Sequence, residues 1–507
     1  MKRKYLMGFD VGTSESKGTL CDLEGRVLVT AAVKHGIRSP QPGFAEHDPI
    51  QDWIGDLRKI VKALLGKGDA AADEIEAIGI STIMAAVTAV DENCEPLRNA
   101  ILYGIDTRCV PQVEELNRKI GAETLQKKFG GPLSVEHFGP KILWIRENEP
   151  EVFQCAKHFT FASGFLTARL TGNFYVDSYS ASSALPMFDP QTTAWDPEMC
   201  RLICREEQLP LIASGTYAPV GCVSAKAAAE TGLAEGTMVI CGTTDAGAEA
   251  VSAGVVKPGD TMLMYGSTSF YIGVTDHYLT NTPLWCNHYT IDGMYSCTGG
   301  MATTGSLTKW IRDEMAKDLL AVEARGGENA YTSMFREAES IPVGSDGLIC
   351  LPYFMGERMP IQDPLAKGVF FGLNLRHQRG HLVRAAMEGV GYGIAQNMDL
   401  LRSAGLSLDH VTAVGGGTRS RLCLQIVSDI CGIAQRVPAI TVGASYGDAL
   451  MAGLAVGSIP GPDSIGSLIQ IQDVIQPDWD HHKRYQKYLK IYSDLYQRNA
   501  DLMHQLW

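Results

Sequence analysis

Apolar positions fall in short strand-length runs over the first 35 residues: YLMGF from Tyr5, GTLCDL from Gly18 and RVLVTAAV from Arg26. A Gly/Ser/Thr-rich turn separates the first two runs and Glu24-Gly25 the second two, which predicts three consecutive antiparallel strands. The period then changes. Trp53, Ile54, Leu57, Ile60, Val61, Leu64 and Leu65 lie on one helical face, with Asp48 placed to cap it, Pro49 in its first turn and Gln51 completing a capping box. IEAIGISTIM (75–84) predicts a strand, followed by a longer mixed region with aromatic clusters near Phe129 to Trp144 and Phe159 to Phe174, read as cleft wall.

Strand, tight turn and small-residue helix return in TMVICGTTDAGAEAVSAGVV (237–256), and TMLMYGSTSFYIGV (261–274) predicts strand, turn, strand. GFDVGTSESKG near residue 8 and MYGSTSFYIG near residue 264 both set Gly with Ser/Thr between two strands, a sign of duplicated half-domains. Strand and helix alternate beyond it: GLICLPYF, a long helix around His381 to Leu401, VTAVGGGT, a helix from Ser420, a small-residue helix near Gly447 to Val456, and a terminal amphipathic helix from Asp478. The pattern is mixed α/β, twice over.

At 507 residues the chain exceeds the roughly 250–300 that one core serves, so at least two domains are expected, with room for a cleft. Its 45% hydrophobic and 20% charged residues are those of a globular protein, and no apolar run approaches the ~18 residues of a membrane span. A net charge of −13 disfavours nucleic acid and anionic membranes as partners. Thirteen scattered cysteines, with Cys200 and Cys204 the closest pair, read as reduced thiols rather than a zinc site. The basic start followed by YLMGF reads as a first strand, not a leader, because Asp10 ends the apolar run.

Gly/Ser/Thr turns between strands can aim successive backbone N–H groups at one point, which suits phosphate oxygens. Gly12, Thr13 and Ser14, with Lys17, form one such turn and Gly266, Ser267 and Thr268 another. VGGGTRSRL (414–422) adds three glycines, Gly415, Gly416 and Gly417, that permit close backbone approach. Phosphoryl transfer also needs carboxylates, to hold magnesium and to accept a hydroxyl proton. Asp10 beside the first turn and Asp245 at the start of a helix are placed for this; their bland alternatives are an Asx turn and a helix N-cap.

Together these elements resemble the FGGY carbohydrate kinase family. The most specific stretch is GVFFGLNLRHQRGHLVRAAMEG (368–389): Gly368, Phe370, Gly372 and Leu373, seven residues, then His381-Leu382, Ala385, Ala386, Met387 and Glu388. The resemblance implies two actin-like ATPase (ribonuclease H-like) domains flanking a catalytic cleft, 1–246 holding the sugar and the first phosphate loop and 247–507 binding ATP. Within the family the chain looks most like xylulokinases, by LPYFMGERMPIQDPLAKGVFFGL (351–373) and ILYGIDTRC (101–109).

By similarity Asp245 falls on the catalytic base, and Asp10, with Asp245, on the magnesium site, reached through water. Gly12 to Ser14 and Gly266 to Thr268 fall on the phosphate loops, Gly415 to Gly417 with Arg421 on the adenosine loop, and Gly305 with Lys309 on a further nucleotide-contacting turn. Met84, Ala85, Asp106 and Lys141 fall on the sugar side. ATP and Mg2+ are the implied cofactors, a ketopentose such as D-xylulose the implied substrate, and the cytoplasm the implied location. Homodimers are common in the family.

Two departures affect sugar choice. Where xylulokinases carry Met-His-Gly this chain has Met84-Ala85-Ala86, and YGID is one residue longer than their usual spacing before Asp106. Ribulose, glycerol or erythritol stand as alternative acceptors. A non-catalytic regulator would be expected to lack Asp10 or Asp245, and both are present.

Overall fold

The structure, a computed structural model, describes residues 3–279, 282–439 and 442–506. Its frame is two seven-stranded mixed sheets. In the first, β1 (Tyr5–Val11) pairs antiparallel with β2 (Glu15–Asp22), which pairs with β3 (Val27–Lys34); on its other side β1 runs parallel to Ile75–Thr82. The second sheet repeats this. Asp260–Tyr265 pairs antiparallel with Ser269–Thr275, which pairs with Tyr295–Met301, and runs parallel to His410–Val414. The sequence duplication is thus a duplication of topology, and both glycine turns leave the carboxyl end of a strand that has a parallel neighbour, where open α/β sheets bind ligands.

The expected helices are present at 379–403, 421–431, 444–455 and 479–504, with Ser420 and Asp478 as N-caps. Asp48 does cap a helix, but the segment it opens is a π-helical turn, Pro49–Ile54, before the α-helix Gly55–Gly68. The cut expected between 246 and 247 falls within the helix Asp245–Ser252.

The helix Ala444–Ala455 ties the halves together. Its sequence belongs with the second sheet, yet it packs against β1 and Ile75–Thr82 of the first and against the helix Asp245–Ser252. Glycine makes this approach possible: a Cβ on Gly8 would lie 1.8 Å from the Ser445 carbonyl oxygen, one on Gly79 2.2 Å from that of Asp448, and one on Gly447 1.9 Å from that of Ala248. Thr19 Oγ1 and Ser445 Oγ, 2.8 Å apart, add a buried hydrogen bond across the same contact.

The 368–389 signature is a brace. Glu388 is buried on the long helix and accepts hydrogen bonds from Gly344 N, Ser345 Oγ, Arg384 Nε and Tyr485 OH, all at 2.9–3.0 Å. Among the described residues no helix is long and apolar enough to cross a membrane, and all thirteen cysteines are free, Cys200 and Cys204 being buried.

Candidate active site

Strand register gathers the polar residues of the first sheet into one row. Asp10 on β1 pairs with Lys17 on β2 and with Ser81 on the parallel strand, and Ser81 pairs with Thr243. Residues directly opposite share a face, so Lys17, Asp10, Ser81 and Thr243 point the same way. Thr243 Oγ1 donates to Asp177 Oδ2 at 2.8 Å, which anchors the short strand just before Asp245.

Asp245 is not the helix cap that its local pattern suggested. Thr244 caps the helix, its Oγ1 accepting from Gly247 N at 3.0 Å, and Asp245 is the first helical residue. The carboxylate is therefore free of capping duty, holding only Ala246 N at 2.8 Å, and the residue remains partly exposed. Burial pushes its carboxyl up to about 6, against the backbone N–H groups of Ala246 and of Asp245 itself, which lower it.

Asp10 lies within β1 rather than in a turn. Burial and then the Asp245 charge hold its carboxyl well above the usual range. Ser81 Oγ lies 3.1 Å from Asp10 Oδ1 and 2.7 Å from Asp448 Oδ2, so one hydroxyl links two buried carboxyls. Asp448 is raised by burial and by Asp10, and its Oδ1 has no hydrogen-bond partner among the described residues. Glu249, one turn after Asp245, is also raised by burial, with Lys17 opposing. Sequence reasoning missed Ser81, Glu249 and Asp448; the only signal was an acidic residue in the otherwise small-residue run ASYGDALMAG.

Both glycine turns present free amides. Gly12 O accepts from His35 Nε2 at 3.0 Å, Thr13 O from His47 Nε2 at 3.0 Å, and Ser14 O from His35 N at 3.1 Å. In a trans peptide C=O and N–H point oppositely, so carbonyls held behind the loop turn the following amides outward. Those of Thr13 and Ser14 take no partner among the described residues. In the second turn Gly266 O accepts from Gly305 N and Thr304 Oγ1, both at 3.0 Å, while Ser267 O accepts from Thr304 N, Ser306 N and Ser306 Oγ at 2.8–3.1 Å. The amides of Ser267 and Thr268 are left free in the same way. Gly415, at φ 91°, touches the second turn: a Cβ there would stand 2.7 Å from Tyr265 O. Gly416 is exposed and Gly417 partly so.

Several expected contacts are otherwise engaged. Asp106 is fully buried, its carboxylate taken by Arg108 at 2.7–3.0 Å and by Ala45 N at 2.7 Å. Lys141 is buried too, donating to the carbonyls of Val135 at 2.6 Å and His137 at 3.1 Å; burial lowers its ammonium to about 8. Gly305 spends its amide on the second turn. Lys309 pairs along its own helix with Asp313 at 2.6 Å, and Arg421 pairs with Asp473; both are exposed. Met84 is partly exposed, whereas Ala85 and Ala86 are buried. The stretch 101–109, expected as a strand, is one only at Ala100–Ile101 and then turns; in that turn Tyr103 OH lies 2.8 Å from Thr13 Oγ1 and joins the segment to the first glycine turn.

Among the described residues no group of three or more His, Cys, Asp or Glu is arranged to hold a metal ion. The available donors are the carboxylate oxygens of Asp10 and Asp245. Such a hard set fits magnesium, which keeps several waters and binds through one or two carboxylates plus substrate phosphates.

Comparison with known proteins agrees with this geometry. Residues 5–252 match the N-terminal domain of the FGGY family of carbohydrate kinases and residues 261–456 its C-terminal domain. The xylulose kinase of Staphylococcus epidermidis is 26% identical over 506 residues, covering 99% of this chain and 98% of its own. The gluconokinase of Bacillus licheniformis is 26% identical over 496 residues, covering 97% and 95%. The crystal structure of xylulose kinase from Rhodospirillum rubrum superposes with a TM-score of 0.90 at 29% identity, over 99% of this chain and all of the other. With both family domains matched in order over two α/β halves of the expected actin-like ATPase fold, the chain belongs to the FGGY family of carbohydrate kinases.

Proposed function

We propose that this carbohydrate kinase transfers the γ-phosphoryl group of ATP to a hydroxyl of a ketopentose such as D-xylulose, in the cytoplasm, with Asp245 as general base. The observation that carries the reading is the pair of turns with free amides, Thr13-Ser14 and Ser267-Thr268, at matching strand ends of the two sheets, the first directly after the strand that holds Asp10. Fixed N–H donors suit the charge that spreads over the phosphoryl oxygens during transfer and need not reorganise as it develops. Lys17, in register with Asp10, adds positive charge to the same face. Gly415 to Gly417 provide backbone close to the second turn for the nucleoside.

A sugar hydroxyl is a poor nucleophile at neutral pH. A carboxylate within reach orients it and takes its proton as the bond to phosphorus forms, worth ~10²–10⁴ in rate. With its carboxyl raised to about 6, Asp245 is ionised at neutral pH yet basic enough for the task. Asp10 and Asp245 are the residues that would hold Mg2+ through water, and the ion would neutralise charge on the β- and γ-phosphates. Asp106 and Lys141 shape the sugar-side wall through Arg108 and the 135–137 backbone instead of touching the sugar.

D-xylulose leads because relatives named xylulose kinase match the full chain. Gluconate follows, since relatives named gluconokinase match nearly as much of it, with ribulose and polyols behind. Ala85 and Ala86 offer no side-chain donor or acceptor beside Met84, so no side chain at these positions reads a polar group of the sugar and analogues lacking that group are not rejected there. A coupled ADP-release assay over pentuloses, gluconate and polyols tests this. Turnover of D-xylulose together with neighbouring ketoses supports the reading, and gluconate or a polyol as the sole good acceptor overturns the choice of substrate.

A further inference from the structure

The two phosphate turns are braced by different means. Behind the second stand backbone amides and hydroxyls from the start of the helix Gly305–Met315; behind the first stand two imidazoles. Their protonation follows from their partners. Trp53 Nε1, which can only donate, lies 3.2 Å from His47 Nδ1, so that nitrogen accepts and Nε2 carries the proton given to the Thr13 carbonyl. His47 is thus neutral, and burial followed by the neighbouring His35 charge lowers its imidazolium to about 4.

His35 is the opposite case. Nε2 meets the Gly12 carbonyl at 3.0 Å and Nδ1 meets Asp56 Oδ2 at 2.9 Å, so both nitrogens face acceptors and both carry protons. Lys59 Nζ donates to the other oxygen of Asp56 at 3.0 Å. Burial alone would lower the His35 imidazolium, but Asp56, the Gly12 carbonyl and Asp52 outweigh it and leave it raised. The side chains of His35 and Asp56 are 4% and 1% exposed, so the pair is shielded from solvent. The rings of His35 and His47 meet edge-on at 4.7 Å. Ser16 Oγ on β2 lies 3.5 Å from His35 Nδ1, and the Arg38 charge, paired with Asp52, acts on His47.

We propose that His35 and His47 are positioning residues for the nucleotide: a charged imidazole on the Gly12 carbonyl and a neutral one on the Thr13 carbonyl turn the amides of Thr13 and Ser14 onto the terminal phosphates of ATP. This rests on the reading of residues 12–14 as a phosphate site. It predicts that ATP affinity depends on a proton far from the transferred group. The His35 proton, held between Asp56 and the Gly12 carbonyl, leaves as pH climbs through its raised pKa, releasing the Gly12 carbonyl, so ATP binding weakens as pH rises.

The test is calorimetric binding of ATP to the full-length protein, without sugar, across neutral to alkaline pH. His47→Ala should weaken ATP about tenfold, the size of one lost hydrogen bond, and His47→Gln, whose amide N–H replaces Nε2–H, should recover most of it. His35→Gln keeps a donor for Gly12 but no titrating charge, so its affinity should no longer fall at alkaline pH as the wild type's does. The wild-type profile needs no variant and stands even where a substitution fails to fold. Ser14→Pro, which deletes one free amide, separates the two claims. If it leaves ATP affinity unchanged, the phosphate reading of the loop falls and the brace with it. If it weakens binding while folded His35 and His47 variants bind ATP as the wild type does, the brace alone is wrong.

Discussion

Asp245 is made useful by its neighbours. Thr244 takes the cap, Asp177 pins Thr243, and low-dielectric surroundings raise the carboxyl to about 6. A base must be ionised to accept a proton, so activity at saturating ATP should rise with pH through a limb near 6 and level off above it. The limb should vanish from the residual rate of Asp245→Asn; a limb of the same position in that variant would assign it to another group. Because the folded state binds this proton more tightly than the unfolded chain, the ionised carboxylate opposes folding at neutral pH. Asn in its place should raise the melting temperature by a few degrees, as expected where function keeps a strained charge. The sequence placed Asp245 at a helix start but misassigned the cap by one residue, since Thr244 and Asp245 are equally good capping types and only backbone geometry separates them. Ser81 and Asp448 were not legible at all: their tie spans 367 positions and is made only when the helix Ala444–Ala455 lands on the first sheet.

At the scale of elements, that landing depends on glycine. Gly8→Ala or Gly447→Ala would drive a methyl group to within 2 Å of a backbone carbonyl oxygen, at 1.8 and 1.9 Å, and backbone must move to admit it. Overpacking of this kind typically costs 1–3 kcal/mol. Thermal unfolding should show the loss for both, while Gly416→Ala, with open space around it, should leave stability nearly unchanged. The long signature helix makes a second case. Removing the Glu388 charge leaves Arg384 buried without its carboxylate, a change that costs about 3–5 kcal/mol, so Glu388→Ala and Glu388→Gln should both melt well below the wild type, Gln the less because its amide oxygen still accepts a hydrogen bond. Element order and most helix ends were readable because period, caps and glycine turns are local signals. The π-helical turn at Pro49–Ile54 was not, since Asp48 and Pro49 announce a helix start without saying how tightly it winds.

Across the whole molecule the duplicated sheets put two amide-bearing turns at matching strand ends, and this is what the repeated Gly-Ser/Thr pattern foretold. The brace behind each turn was hidden, because one is built from the helix Gly305–Met315 and the other from His35 and His47, residues whose local sequence gives no hint of a loop 23 and 34 positions earlier. The roles expected of Asp106, Lys141, Lys309 and Arg421 came from positional similarity, and the structure gives each of their polar groups a partner within the protein. The central claim, that the two halves bring ATP to a sugar hydroxyl activated by Asp245, is tested most directly by sugar-dependent ADP release from the wild type and from Asp245→Asn, with ATP binding measured on both. ADP release by the wild type should rise on addition of its sugar, and Asp245→Asn should bind ATP as well as the wild type while losing ~10²–10⁴ of that rate. Turnover by folded, ATP-binding Asp245→Asn close to the wild-type rate would contradict that claim.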